Sequence, residues 1–206
     1  MTELFISAFV TLFVVIDPPG CAPIYASLTG GATVAQRKAM AIRAVGIAAA
    51  ILLVFALWGK QLLGVLGIAL DSFRIAGGIM LFMIAMDMVF EKRTQRREDR
   101  AQKISAEERH VEDVSVFPMA MPMIAGPGSI ATVMLLMSRA DGMGERMVVL
   151  GAVVVTLMLM LGALLAAGPL MALLGHRIEA VITRLLGVLL AALAAQFVID
   201  GLKASF

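Results

Sequence analysis

The chain has 206 residues, a formal net charge of +2, 61% hydrophobic residues and a mean hydropathy of +0.96. A soluble domain is about 45–50% apolar, and a chain this short cannot hide such an excess inside a soluble core. The weak positive charge argues against a nucleic-acid partner, and the single cysteine, Cys21, excludes an internal disulfide framework. The lipid bilayer is the solvent this composition fits.

The apolar residues come in blocks that predict six spans: Leu4–Leu28, Ala41–Leu63, Ser72–Phe90, Val114–Ser138, Met147–Leu174 and Ile178–Leu202. The stretches Val114–Ser138 and Met147–Gly175 carry no charge, and each exceeds the roughly 20 residues needed to cross the hydrocarbon core. The start carries Glu3, no early Lys or Arg and no small-x-small cleavage site before Asp17, so the first run reads as a retained helix. The expected class is all-α, a single transmembrane domain. It divides into a first half over 1–90, a charged loop over 91–113 and a second half over 114–206.

Glu91–Asp113 is the long polar segment, with seven basic and seven acidic residues. Ser105 and Glu108 within it fit a capping box, although a solvated loop is the simpler expectation. With six spans, the odd connections carry 12 Lys and Arg and the other side carries 5. The excess faces the cytoplasm, so both termini are expected outside it.

A weak internal repeat runs through the spans. Asp17-Pro18-Pro19-Gly20 lies in the first and Ala125-Gly126-Pro127-Gly128 in the fourth, 108 residues apart at the Pro-Gly pair. Arg74 with Gly77 opens the third span and Arg184 with Gly187 the sixth, 110 apart. Three spans per half give halves of opposite topology, a common transporter plan.

Proline removes a backbone donor and breaks helices. Pro18, Pro19, Gly20 and Pro23 interrupt the first span; Pro118, Pro122, Gly126, Pro127 and Gly128 interrupt the fourth. Unwound backbone at membrane depth belongs in a protein-lined cavity. Pro18 and Pro127 suit the first turn of a new half-helix, whose free N–H groups would attract an anion such as a substrate carboxylate. A purely structural kink is the alternative. Asp17 follows thirteen uncharged residues and precedes nineteen. It either caps the next half-helix or titrates and couples transport to protons.

Ser129 and Thr132 share a helix face and either bind substrate or bond back to their own helix. Arg74 and Arg184 either bind a carboxylate or snorkel to the interface; Asp87 and Asp200 are expected to snorkel likewise. Gln196 reads as interhelical glue. Small residues at four-residue spacing, Gly187, Ala191 and Ala195, and Gly162 with Ala166, suggest close helix packing. The sixteen methionines read as packing. His110 and His176 lie in polar connections, so no haem, metal or other cofactor is expected.

Asp17-Pro-Pro-Gly-Cys-Ala-Pro23 and Met121-Pro-Met-Ile-Ala-Gly-Pro-Gly-Ser-Ile-Ala-Thr132 resemble the MarC family, also called the small neutral amino acid transporter family. The second motif is the more specific, and the resemblance covers nearly the whole chain. It implies a six-helix protein of the bacterial inner membrane, with small neutral amino acids such as glycine and alanine as the substrates ascribed to some members. The family pattern usually has Asn where this chain has Asp17, which favours the capping role.

The function expected is therefore secondary transport of small zwitterions, with proton or sodium coupling and no enzymatic chemistry. Substrate would meet Asp17, Pro18, Pro19, Gly20, Pro23, Gly126, Pro127, Gly128, Ser129 and Thr132, with Arg74, Arg184 and Gln196 as further polar candidates. Three alternatives stand beside this expectation. A thiol-redox conductor would need a second thiol where Ser129 stands. A metal-ion exporter would need more intramembrane ligands than Asp17. A non-transporting membrane protein is the third. No Walker loop is present.

Overall fold

The computed structural model describes residues 1–90 and 113–205, side-chain surroundings at 169–180 and 182 excepted. The Ser105–Glu108 capping box, His110 and the surroundings of His176 lie outside the described residues. Helix α1 (Thr2–Ile16) ends at Asp17, which adopts the left-handed conformation at φ 59°. Helix α2 (Pro18–Leu28) follows at once, and the two together form one 27-residue apolar span, Thr2–Leu28. The chain then turns into α3 (Val34–Val65) through a capping box in which Thr33 and Gln36 satisfy each other's backbone N–H. Arg37 ties this turn down, donating to the carbonyls of Ala32 (3.1 Å) and Gly30 (3.3 Å), while the Tyr25 hydroxyl donates to the Arg37 carbonyl.

Helix α3 stops in a Schellman motif: Ile68 N–H bonds Leu63 C=O and Gly67 N–H bonds Gly64 C=O, with Gly67 at φ 68°. Helix α4 spans Leu70–Val89. The second half opens with α5 (Ser115–Ile124), wound in wide π-type turns with extended backbone at Phe117 and Met121, each just before a proline. It bends by 51° into α6 (Pro127–Arg139). Helices α7 (Gly142–Leu165) and α8 (Ala167–Ser205) complete the chain.

Among the described residues, five helical segments are long and apolar enough to cross a membrane, or six with the bent pair α5–α6 counted as one span. Large side chains such as Trp58, Met83, Val154 and Leu189 are exposed on the outer helices, as lipid contact requires. The protein is an all-α polytopic membrane protein. One boundary differs from the expectation. The fifth and sixth spans were divided at residues 175–177, but the turn lies at Ala166, and α8 runs on through 39 residues. The turn sits inside an uncharged run, where hydropathy gives no mark. Gly168 and Pro169 are the breakers, and Pro169 is tolerated because the first turn of a helix needs no backbone donors.

Two cores organise the packing. The larger joins α1, α2, α3, α5, α6 and α7. The smaller joins α4 and α8 with Val14 and Val15 of α1 and Leu135 of α6. Helices α4 and α8 form the most extensive pair, and they cross antiparallel through a ladder of small residues. A Cβ placed on Gly201 would lie 3.0 Å from the Asp71 carbonyl oxygen, one on Gly78 2.9 Å from that of Ala194, and one on Gly187 3.1 Å from that of Ala85. The seam thus repeats every seven residues on each helix, as in a coiled-coil contact. The four-residue spacing overstated its neighbours: Gly187 packs, but Ala195 is exposed. Gly162 is also exposed and has nothing within 4 Å of its would-be Cβ. Four-residue spacing marks a face of a helix without saying whether that face meets protein or lipid.

Candidate functional site

Both proline-glycine clusters start a half-helix. Pro18 is the first residue of α2 and Pro127 the first of α6, where a missing donor costs nothing. The two starts differ in their caps. At α2, the Asp17 carboxylate is 2% exposed, and its Oδ1 accepts the Gly20 N–H at 3.1 Å. Asp is one of the few residues that tolerates the left-handed region this requires. Gly20 allows the carboxylate to close down, since a Cβ there would lie 2.8 Å from Asp17 Cγ. Asp17 therefore performs the capping role. At α6, the N-cap is Gly126 and no side chain caps the helix. A Cβ on Gly126 would overlap the Pro122 carbonyl oxygen, so the bend at this break leaves no room for a capping side chain.

The α6 start lies against the end of α1. A Cβ on Gly128 would sit 3.5 Å from Val15 Cγ1 and would overlap Ile84 Cδ1 of α4. Val15 is two residues ahead of Asp17, so the two breaks are neighbours. Gly128 and Ser129 are buried, Pro127 is exposed, Pro18 is buried, and Pro19 and Pro23 are half-buried. The Thr132 hydroxyl donates to the Gly128 carbonyl at 2.7 Å, which is bonding back to its own helix. Ser129 is 3% exposed, and its hydroxyl makes no hydrogen bond among the described residues. Cys21 is fully buried, with Sγ 3.6 Å from the Ile16 carbonyl oxygen.

The remaining polar candidates gather elsewhere. Arg74 donates to Asp71 at 3.3 Å across one turn of α4. Gln196 donates to Asp200 Oδ1 at 2.7 Å, and the other Asp200 oxygen is held by Arg139 of α6, whose guanidinium lies 4.4 Å above the Phe197 ring. Gln196 thus serves an ion pair between α6 and α8. Asp200 pairs where snorkelling was expected. Arg184 is exposed, and the antiparallel ladder puts it at the opposite end of the α4–α8 pair from Arg74. Sequence reasoning missed the Arg139–Asp200 pair, and with the partners 61 positions apart no local spacing could have revealed it. It also missed the Arg43–Asp113 pair, which joins α3 to the start of α5 as Asp113 caps the Ser115 N–H at 3.0 Å.

The match to known proteins follows the same features from end to end. A family model described as MarC family integral membrane protein matches residues 2–206. The chain belongs to the MarC family. Among its MarC relatives are UPF0056 membrane proteins from both archaea and bacteria. MJ1677 of Methanocaldococcus jannaschii is 34% identical over 201 residues, covering 98% of this chain and 97% of that protein. YvbG of Bacillus subtilis is 34% identical over 210 residues, covering 100% and 97%. YhcE of Escherichia coli is 32% identical over 198 residues, covering 96% and 91%. No solved structure matches this MarC chain.

Proposed function

We propose that this MarC protein is a secondary transporter, not an enzyme, of small neutral amino acids or similar zwitterions in the cytoplasmic membrane, with both termini outside. The observation that carries this reading is the uncapped, buried start of α6 beside the first break. A buried helix N-terminus holds free N–H groups and a partial positive charge. Without a capping side chain, an anion is the natural partner. A substrate carboxylate would take that place, with the Ser129 hydroxyl as an added donor. Asp17 already serves α2 as its N-cap. Ile84 and Val15 close on Gly128, so on this reading substrate access requires α4 to move relative to α6.

An inverted repeat is part of the proposal, and a common offset supports it. The N-caps Asp17 and Gly126 are 109 residues apart. The same shift carries Gly78 onto Gly187 and Ala85 onto Ala194, turning one rung of the α4–α8 ladder into the other. Arg74 and Arg184, spaced 110 apart, are therefore not equivalent positions.

The test is uptake of labelled glycine, alanine, serine and larger amino acids into proteoliposomes under imposed proton or sodium gradients. Saturable uptake of the small members, reduced by Ser129→Ala, is the expected result. Uptake no greater than in protein-free vesicles for the whole panel, under either gradient, would refute the reading.

A further inference from the structure

A second polar site lies away from the breaks, where the start of α4 meets the ends of α6 and α8. There Arg74, Ser138, Arg139, Asp141, Asp200 and Lys203 line an open basin of about 520 Å³. Its hydrogen-bonding groups are unbalanced. Each guanidinium carries five N–H donors, yet Arg74 gives one hydrogen bond, to Asp71, and Arg139 gives one, to Asp200. Both Asp200 oxygens are occupied, one by Arg139 and one by Gln196. Arg74 Nε is buried without an acceptor, an unpaired donor that costs stability. Lys203 makes no ion pair among the described residues. The formal charges balance, with Arg74, Arg139 and Lys203 against Asp71, Asp141 and Asp200, but the two guanidinium forks that line one depression leave most of their N–H donors unused.

We propose that this basin is an oxyanion-binding site, at which a carboxylate or phosphate group bridges Arg74 and Arg139. Guanidinium forks match such planar or tetrahedral oxyanions by paired N–H···O bonds. The Asp141 carboxylate, exposed in the same basin and without an ion-pair partner among the described residues, suits an ammonium group. A zwitterion therefore gains a second contact that a simple anion lacks. The oxyanion comes either from a small solute or from a lipid headgroup, since the basin is formed by the ends of membrane-spanning helices. The site is independent of the transport reading: binding here is measured without transport, and either can fail alone.

The experiment is site-resolved modification of Arg139 by phenylglyoxal in the purified full-length protein in neutral detergent, read by peptide mass spectrometry at constant ionic strength. Acetate, glycine and ethylammonium are titrated separately, and a further arm adds phosphatidylglycerol to the micelles. Acetate and glycine should slow modification saturably by fivefold or more, with glycine effective at lower concentration, and ethylammonium should not protect. Asp141→Asn should erase the advantage of glycine over acetate. Arg74→Gln should abolish the protection, and Arg74→Lys, checked like it for a monodisperse elution profile, should restore part of it. Protection by phosphatidylglycerol alone would keep the oxyanion site and assign it to a headgroup. No protection in any arm, or protection unchanged in Arg74→Gln, would overturn the proposal.

Discussion

Substituting Gly78 by Ala should weaken the fold, whereas the same substitution at Gly162 should strengthen it. At Gly78 the new Cβ would lie 2.7 Å from Val198 Cγ2, 2.9 Å from the Ala194 carbonyl oxygen and 3.0 Å from the Val198 nitrogen. Two of those neighbours are backbone, so no rotamer change relieves the overlap, and α4 and α8 must separate by about half an ångström to reach ordinary contact. Overpacking of this kind costs about 1–3 kcal/mol. Alanine in a helix recovers roughly 0.5–1 kcal/mol relative to glycine. The net loss at Gly78 is then about 0–2.5 kcal/mol, and Gly162, with open space around it, shows the gain alone. The difference between the two variants isolates the steric term, because the helix-propensity term is common to both. Unfolding by sodium dodecyl sulfate in mixed micelles, followed by far-UV circular dichroism, measures that difference. Equal midpoints for Gly78→Ala and Gly162→Ala would show that the seam does not hold the two helices together.

Other outcomes follow from the same geometry. Asp17→Asn should keep the α2 cap and nearly all stability, whereas Asp17→Ala should cost about 1 kcal/mol for the lost cap and a further 1–2 kcal/mol for the left-handed backbone; thermal unfolding in detergent separates them. Cys21→Ser should leave uptake in proteoliposomes within twofold of wild type, since the sequence holds no second cysteine for thiol exchange, and loss of uptake at normal abundance would place Cys21 in the substrate path. A fluorescent protein that matures only in the cytoplasm, fused after Phe206, should stay dark, and a bright full-length fusion in the membrane would reverse the orientation drawn from the loop charges.

The fold was legible where composition changes sharply along the chain. The apolar runs gave the spans, because a bilayer demands length and apolarity together. The half-helix starts at Pro18 and Pro127 were legible because proline marks a place where a backbone donor is not needed. The α7–α8 turn at Ala166 was not, since it lies among uncharged residues, and the charges at Arg177 and Glu179 imitated a connection inside a continuous helix. The α4–α8 seam was only half visible. Glycine and alanine are frequent throughout, so the positions that face a partner emerge only when Gly78 and Ala194, or Ala85 and Gly187, are brought together across the pair.

The candidate site shows why its two halves read so differently. Asp17 stood out because a carboxylate is rare at that depth, yet the structure assigns it a local duty, holding the Gly20 N–H in a left-handed turn. The more informative position, Gly126, carries no side chain to draw attention. What marks it is an omission forced by the Pro122 carbonyl pressing on its Cα: the cap that Asp17 gives to α2 cannot be built on α6. The first N–H groups of a helix without a side-chain cap turn to water, a tightened turn or a bound group instead. The missing cap concerns backbone atoms and follows from a bend, so residue types alone could point to the segment but not say which half-helix start carries no side-chain cap.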